Sequence, residues 1–233
     1  MNSTLLRRVA ARAPLRRLYT TPSNHNLEIL DHALTKVNEL GWTRASVIAA
    51  CQDLGYSSMA HGVSESGGLG LVRHFMDRAL DETTIEVDDQ LHEFDSTNDK
   101  LRFICITRLR QTLPYANRWH EAAALLAQPQ NVPTAIDQMG KLASRIWYLA
   151  GDQSVRLDWY AKRSALAAAY VATEMYMCED KSPDHAHTWR FLNRRIEEMG
   201  KADKLSQGVA AYGTQFGRNL YNILASRGFV PHQ

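Results

Sequence analysis

Residues 27–55 read LEILDHALTKVNELGWTRASVIAACQDLG. Leu27, Leu30, Ala33, Leu34, Val37 and Leu40 recur every three or four positions, which is the spacing of one helix face. That spacing predicts a helix over 26–40, ended by Gly41 in the role of a C-terminal cap. Thr43 stands where an N-cap belongs, so a second helix is expected from Arg44 to Asp53, with Ala45, Ile48 and Ala49 turned inward. Gly55 breaks it, and a short third helix is expected after Ser57-Ser58. Short helices joined by tight turns form a helix–turn–helix-like unit.

The rest of the chain continues the helical pattern. After the glycines at 62, 67, 68 and 70, a helix over 69–80 carries Leu69, Val72, Phe75, Met76, Ala79 and Leu80. Residues 81–99 are acidic and less periodic. Helix returns over 99–112, where Leu101, Ile104, Cys105, Arg108 and Leu109 share the spacing, and Pro114 and Pro129 punctuate the stretch after it. Ile136, Met139, Leu142, Ala143, Ile146 and Leu149 mark a helix over 133–149. Residues 156–178 form a long helix that is apolar on nearly every side from Ala165 to Cys178, interrupted by Thr173 and Glu174, and it reads as buried and central. Ser182-Pro183 has the pattern of an N-cap with proline at the first helical position, and Asp184 suits the first turn. Nine or ten helices and no sheet make an all-α fold.

The chain has 233 residues, 45% hydrophobic and 22% charged, which is ordinary globular composition. No run of 18 apolar residues free of charge is present, so no spanning helix is expected. The three cysteines, Cys51, Cys105 and Cys178, are far apart and outside any CxxC pattern, which indicates neither a disulfide framework nor a zinc ribbon. Residues 1–19 hold Arg7, Arg8, Arg12, Arg16 and Arg17, interleaved with Leu5, Leu6, Val9, Leu15 and Leu18, and no acid precedes Glu28. An Arg-rich, acid-free, amphipathic start reads as a mitochondrial transit peptide. Arg17-Leu18-Tyr19 resembles a matrix-processing site. Removing 1–19 lowers Lys+Arg from 27 to 22 against 25 acids, a net charge of −3. The remaining chain then lacks the global basic signature of a nucleic-acid binder.

Residues 27–76 resemble the N-terminal domain of TetR-type regulators. The resemblance rests on Leu27, Ala33-Leu34, Gly41-Trp42-Thr43, Val47-Ile48-Ala49-Ala50, Leu54-Gly55 and a helix ending at His74-Phe75. It implies a TetR-like fold, with a ligand-responsive DNA-binding regulator as the alternative function. A recognition helix needs cations for phosphates and donors for base edges, yet Ser57 to Leu71 contains no Lys or Arg. Catalytic signatures are missing as well. HExxH, paired Glu-x-x-His and GxSxG do not occur, and the glycines at 67–70 are not followed by Gly-Lys-Ser/Thr. His185 and His187, beside Asp184, are two positions apart and do not face one another on a helix, so no metal site is expected. The reading is of a non-enzyme without metal or cofactor.

Over 202–226, Leu205, Val209, Tyr212, Phe216, Leu220, Ile223 and Leu224 recur at intervals of three or four, opposite Asp203, Ser206, Gln207, Thr214, Arg218 and Asn222. Periodicity leaves core packing and membrane contact equally open for this helix.

Two segments carry a more specific resemblance. Ala150-Gly151-Asp152 leads into Asp158-Trp159-Tyr160-Ala161-Lys162-Arg163. Thr173-Glu174, Asp180 and Ser182-Pro183-Asp184 then precede Thr188-Trp189-Arg190-Phe191-Leu192 and Arg194. Together these are similar to the mitochondrial ubiquinone-biosynthesis accessory proteins numbered nine among the COQ proteins, over about 27–227. The resemblance implies a TetR-like homodimer that binds no nucleic acid, holds an isoprenoid or quinone lipid and lies peripherally on the matrix face of the inner membrane. Its implied partners are the di-iron demethoxyubiquinone hydroxylase and the ubiquinone-biosynthesis complex. It places partner binding at Trp159, Tyr160 and Arg163, for which domain-core packing is the competing reading. The lipid contacts expected are Trp147, Tyr148, Leu166, Tyr170 and Met177, again with core packing as the alternative. The membrane contacts expected are Phe216, Leu220, Tyr221, Ile223 and Leu224. The corresponding organisation is a transit peptide over 1–19, a helix–turn–helix-like unit over 20–68, a lipid-binding and dimerisation bundle over 69–200, and a membrane-associating helix and tail over 201–233.

Overall fold

The computed structural model describes residues 24–57, 67–154 and 157–203. Among the described residues eight α-helices run in order: α1 (Asn24–Leu40), α2 (Arg44–Asp53), α3 (Gly68–Asp88), α4 (Thr97–Thr112), α5 (Trp119–Leu126), α6 (Val132–Leu149), α7 (Leu157–Glu179) and α8 (Ala186–Asp203). Short 3₁₀ turns lie at Leu91–Glu93, Leu113–Arg118, Pro129–Asn131 and Pro183–His185. Among the described residues there is no strand. The expected transit peptide, the third short helix after Ser57-Ser58 and the C-terminal amphipathic helix lie outside the described residues.

The α1–α2 turn forms as its residues dictate, with one change. Gly41 adopts φ +78°, and its N–H donates to the Val37 carbonyl at 2.8 Å. Thr43 has the extended backbone of an N-cap, but its hydroxyl donates backwards to the Leu40 carbonyl at 2.9 Å instead of capping α2. The inward face of α2 also differs from expectation. Ser46, Val47, Ala50 and Cys51 are buried, whereas Ala45 is exposed and Ile48 and Ala49 are half-buried. Ser46 tolerates burial because its hydroxyl donates to the Gly41 carbonyl at 2.6 Å.

α3 runs on through Asp88, past the boundary expected near Leu80. Leu80, Thr83 and Val87 continue the buried face, while Asp81, Glu86 and Asp88 point to solvent. Thr83 hides the periodicity because it counts as polar, yet its hydroxyl is satisfied by the Ala79 carbonyl at 2.6 Å. α7 is more one-sided than expected. Ala165, Leu166, Ala168, Ala169, Tyr170, Thr173, Glu174 and Met177 are buried, whereas Val171, Ala172 and Met175 are half-buried and Tyr176 is exposed.

Two apolar cores share a wall. The first gathers α1, α2 and the start of α3 around Trp42, Phe75 and Trp119, whose rings meet edge to face at 5.3–5.5 Å. Each buried indole removes roughly 200 Å² from water, about 5 kcal/mol gross. The second core packs α4, α6, α7 and α8 through Leu101, Ile104, Leu109, Ile146, Leu166, Met177, Leu192 and Ile196. α3 belongs to both, with Phe75 in the first and Val87 in the second. Polar bolts reinforce the wall. The Trp42 backbone N–H donates to Glu121 Oε2 at 3.1 Å, and Arg118 donates to the Glu39 carbonyl at 2.9 Å and to Glu121 Oε1 at 2.8 Å.

Candidate functional site

The turn from α6 to α7 brings three of the expected site residues together. Gly151 at φ +84° follows α6, and the chain then presents Asp152, whose side chain is almost fully enclosed. Its carboxylate accepts from the Ser154 hydroxyl at 2.5 Å, from Lys162 Nζ at 3.1 Å and from Arg163 Nη1 at 3.2 Å. Burial alone would raise this carboxyl, but the hydrogen bonds from Ser154, Lys162 and Arg163 and the Lys162 charge hold it below its ordinary value.

The clamp sets the aromatic side chains. Arg163 also donates to the Trp159 carbonyl at 3.2 Å and lies 4.0 Å from the centre of the Trp159 ring. Trp159 and Tyr160 meet edge to face at 4.8 Å. Trp159 is half-buried, and Tyr160 is 67% exposed. Among the described residues neither belongs to the two core clusters. Lys162 Nζ stands 5.3 Å from the Trp147 ring, and the Trp147 indole N–H donates to the Lys162 carbonyl at 3.0 Å. The first two turns of α7 are thereby fixed to the end of α6.

The residues expected to contact lipid separate into two groups. Leu166, Tyr170 and Met177 lie on the buried face of α7 with Trp147 of α6, packed with Leu101, Ile104, Cys105 and Ile146. Tyr148 is not part of that wall. It is 75% exposed, because one step along a helix rotates a side chain about 100° away from its neighbour Trp147. It stands instead on the outer surface at the end of α6. The expected membrane contacts Phe216, Leu220, Tyr221, Ile223 and Leu224 lie outside the described residues.

Two polar features escaped the sequence reading. One is the turn into α8. Ser182 is the N-cap with Pro183 following it, as expected, and its hydroxyl accepts from the His187 N–H at 3.1 Å. Asp180 joins it in organising the turn: Oδ1 accepts from the Ser182 N–H at 2.9 Å, and Oδ2 accepts from the Thr188 N–H at 2.8 Å and hydroxyl at 2.6 Å. Burial opposes ionisation of Asp180, yet these bonds hold its carboxyl far below the ordinary range. Asp184 and His185 sit at φ +52° and +54°, so Asp184 is not in a helical first turn. A shallow groove beside this turn is bordered by Tyr176, Glu179, Lys181, His187 and Arg190. The second feature is a buried polar group of Arg108, Thr112 and Glu174 where α4, α5 and α7 meet. Arg108 fell on the apolar spacing of its helix, and Glu174 interrupted an apolar run, which is the signal that points to them. Among the described residues no cluster of His, Cys, Asp and Glu could hold a metal ion, and no helix is long and apolar enough to cross a membrane.

Residues 132–203, which contain the clamp, the buried wall of α7 and the Asp180 turn, match the COQ9 family model. The chain is 40% identical to the mitochondrial ubiquinone biosynthesis protein COQ9 of Drosophila melanogaster over 175 residues, 73% of this chain and 54% of that protein. It is 36% identical to COQ9 of Homo sapiens over 199 residues, 82% and 63% of the two chains. With COQ9-B of Xenopus laevis the identity is 32% over 202 residues, 84% and 69% of the two chains. The matched region thus spans roughly half to two-thirds of these relatives' lengths. In three dimensions the chain superposes on a TetR transcriptional regulator from Nitrosomonas europaea ATCC 19718 with a TM-score of 0.60 and 14% identity, over 76% of this chain and 99% of that one. That likeness shows the fold to be TetR-like.

Proposed function

The chain belongs to the COQ9 family, and from that premise we propose that it is a lipid-binding accessory protein of ubiquinone biosynthesis, not an enzyme. It holds an isoprenoid or quinone intermediate and brings it to the di-iron hydroxylase that acts on demethoxyubiquinone. A polyprenyl tail is costly to bring into water, about 0.8 kcal/mol per CH₂, so a hydroxylase gains from a protein that shields the tail. The buried wall of Leu166, Tyr170 and Met177 with Trp147 supports the shielding role.

One observation carries the docking role: Trp159 and Tyr160 form an exposed aromatic pair on a helix start locked by Asp152, Lys162 and Arg163. Rigid aromatics beside an arginine have the composition of an interface hot spot, and pre-ordering them lowers the entropy lost on binding. The Arg-rich first 19 residues and the names of the relatives support a mitochondrial location, on the matrix face of the inner membrane. The partly exposed apolar flank of α7, with Tyr176 stacked on Phe191 at 4.9 Å, supports a homodimer. A DNA-binding role gains nothing from the TetR-like fold, since a fold hosts many functions and Ser57 to Leu71 offers no cation.

The test is Trp159→Ala. It removes a half-buried ring outside both cores, so the melting temperature should change little while retention of the hydroxylase on the immobilised protein falls at least about tenfold. Unchanged retention would remove this surface from the account.

A further inference from the structure

The buried polar group between α4 and α7 is unusual for a core otherwise made of leucine, isoleucine and alanine. Arg108 is 1% exposed, and Tyr170 and Glu174 are buried with it. Arg108 Nη1 donates to the Thr112 hydroxyl at 3.1 Å, and that hydroxyl donates to Glu174 Oε1 at 3.2 Å. Thr112 therefore couples a buried cation to a buried carboxyl. Two groups in the same cluster make no hydrogen bond of good geometry among the described residues: Arg108 Nε–H and the Tyr170 hydroxyl. The Tyr170 hydroxyl lies near Thr112 and Glu174 without being aligned to either. Orphaned donors at this depth are costly and rare, and a buried ligand that supplies an acceptor would relieve both. The surroundings are aromatic, with the Phe75 ring 5.3 Å from the guanidinium and Trp119 close to the Glu174 carboxyl. α4 and α7 both pack on α6 and α8, and their buried faces belong to one apolar core.

We propose that Arg108, Thr112, Tyr170 and Glu174 form the seat for the oxygen-bearing ring of the bound lipid, a neutral quinone or phenol whose oxygen accepts from Arg108 Nε–H and the Tyr170 hydroxyl. This rests on the lipid-binding reading above and adds to it the chemistry of the head. Burial pushes the Tyr170 hydroxyl well above its ordinary value, so it stays a donor. Burial raises the Glu174 carboxyl from its ordinary value, and the Arg108 charge and the surrounding hydrogen bonds oppose that rise. A head carrying two or three negative charges, such as a diphosphate, would face the Glu174 carboxyl without enough cations to neutralise it. Tyr170 lies eleven residues beyond Trp159, about 16 Å along α7. The ring is thus stored away from the docking surface and must move to reach a partner's active site.

The experiment titrates the full chain at about pH 7.5, following tryptophan fluorescence, with three probes. These are ubiquinone-2, geranyl diphosphate and 2,6-dimethyloctane, which offer a neutral ring, an anionic head and a bare tail on the same ten-carbon chain. Each is repeated on Tyr170→Phe, which deletes only a hydroxyl without an aligned partner and so should leave the melting temperature unchanged or slightly raised. The proposal expects ubiquinone-2 to bind more tightly than geranyl diphosphate. It expects Tyr170→Phe to weaken ubiquinone-2 by about fivefold and to leave 2,6-dimethyloctane unchanged. Equal ubiquinone-2 affinity in both proteins, or tighter binding of the diphosphate, would overturn the seat while leaving lipid binding intact. Failure of the unmodified chain to bind any of the three would overturn the lipid-binding reading and the seat together.

Discussion

Asp152→Ala tests whether the docking surface is built or incidental. The substitution removes three hydrogen bonds, from Ser154, Lys162 and Arg163. Bonds to charged groups contribute about 1.5–3 kcal/mol each when enclosed. The two cations are 23% and 11% exposed and recover some hydration once released. A loss of about 3 kcal/mol results, at the low end for breaking a buried ion pair. For a domain of this size that corresponds to roughly 9 °C in melting temperature. The pH dependence has a definite sign. The Asp152 carboxyl is held below its ordinary value of 3.8, so its contribution is complete above that value and disappears as the pH falls through the lower, folded value. Thermal unfolding followed by circular dichroism should therefore give a constant gap between the two proteins from about pH 8 to about pH 5, closing only in stronger acid. Retention of the hydroxylase should fall as well, because Trp159 loses the Arg163 contact that orients it. A shift under about 2 °C at neutral pH, or a gap that closes near neutrality, would refute the clamp.

Other substitutions probe other links. Asp180→Ala deletes the acceptor of the Ser182 and Thr188 bonds and should cost about 3 kcal/mol in urea unfolding, with loss of helical signal from the start of α8. Gly68→Ala places a methyl group against the Trp42 carbonyl, a backbone atom that cannot rotate away, and should destabilise by about 2 kcal/mol or more. Ile146→Ala, at a fully buried site of the second core, should cost about 3 kcal/mol by the same assay. The Cys105 thiol is pushed up to about 12 by burial, so it should resist maleimide at about pH 8 in the folded protein and react once the chain is unfolded.

The legible parts of the fold were those written in local periodicity and punctuation. α1 and its Gly41 end, α6 after Pro129, and α7 all follow from spacing and breakers within a dozen residues. The parts that were not legible depend on contacts made elsewhere. α3 outran its apolar pattern because Thr83 satisfies itself on the Ala79 carbonyl, and the inner face of α2 was misjudged because Ser46 does the same on Gly41. Asp152 stood within a recognised motif, but its grip on Lys162 and Arg163 exists only after the α6–α7 turn folds back. Arg108 stood on an apolar spacing with no visible reason, and the reason, Glu174 reached through Thr112, lies 62 residues further along the chain than that threonine. Tyr148 stands apart from Trp147 for a simpler cause: adjacent helical residues face different ways, so only Trp147 joins the buried wall.

The most direct test of the central claim is native mass spectrometry of the full chain, purified and then charged with ubiquinone-2, with extraction and identification of whatever lipid it carries. The account predicts a dimer that holds about one isoprenoid-tailed or quinone lipid per subunit, released only when the protein unfolds. A protein that carries no such lipid from the cell and takes up no ubiquinone-2 would contradict it.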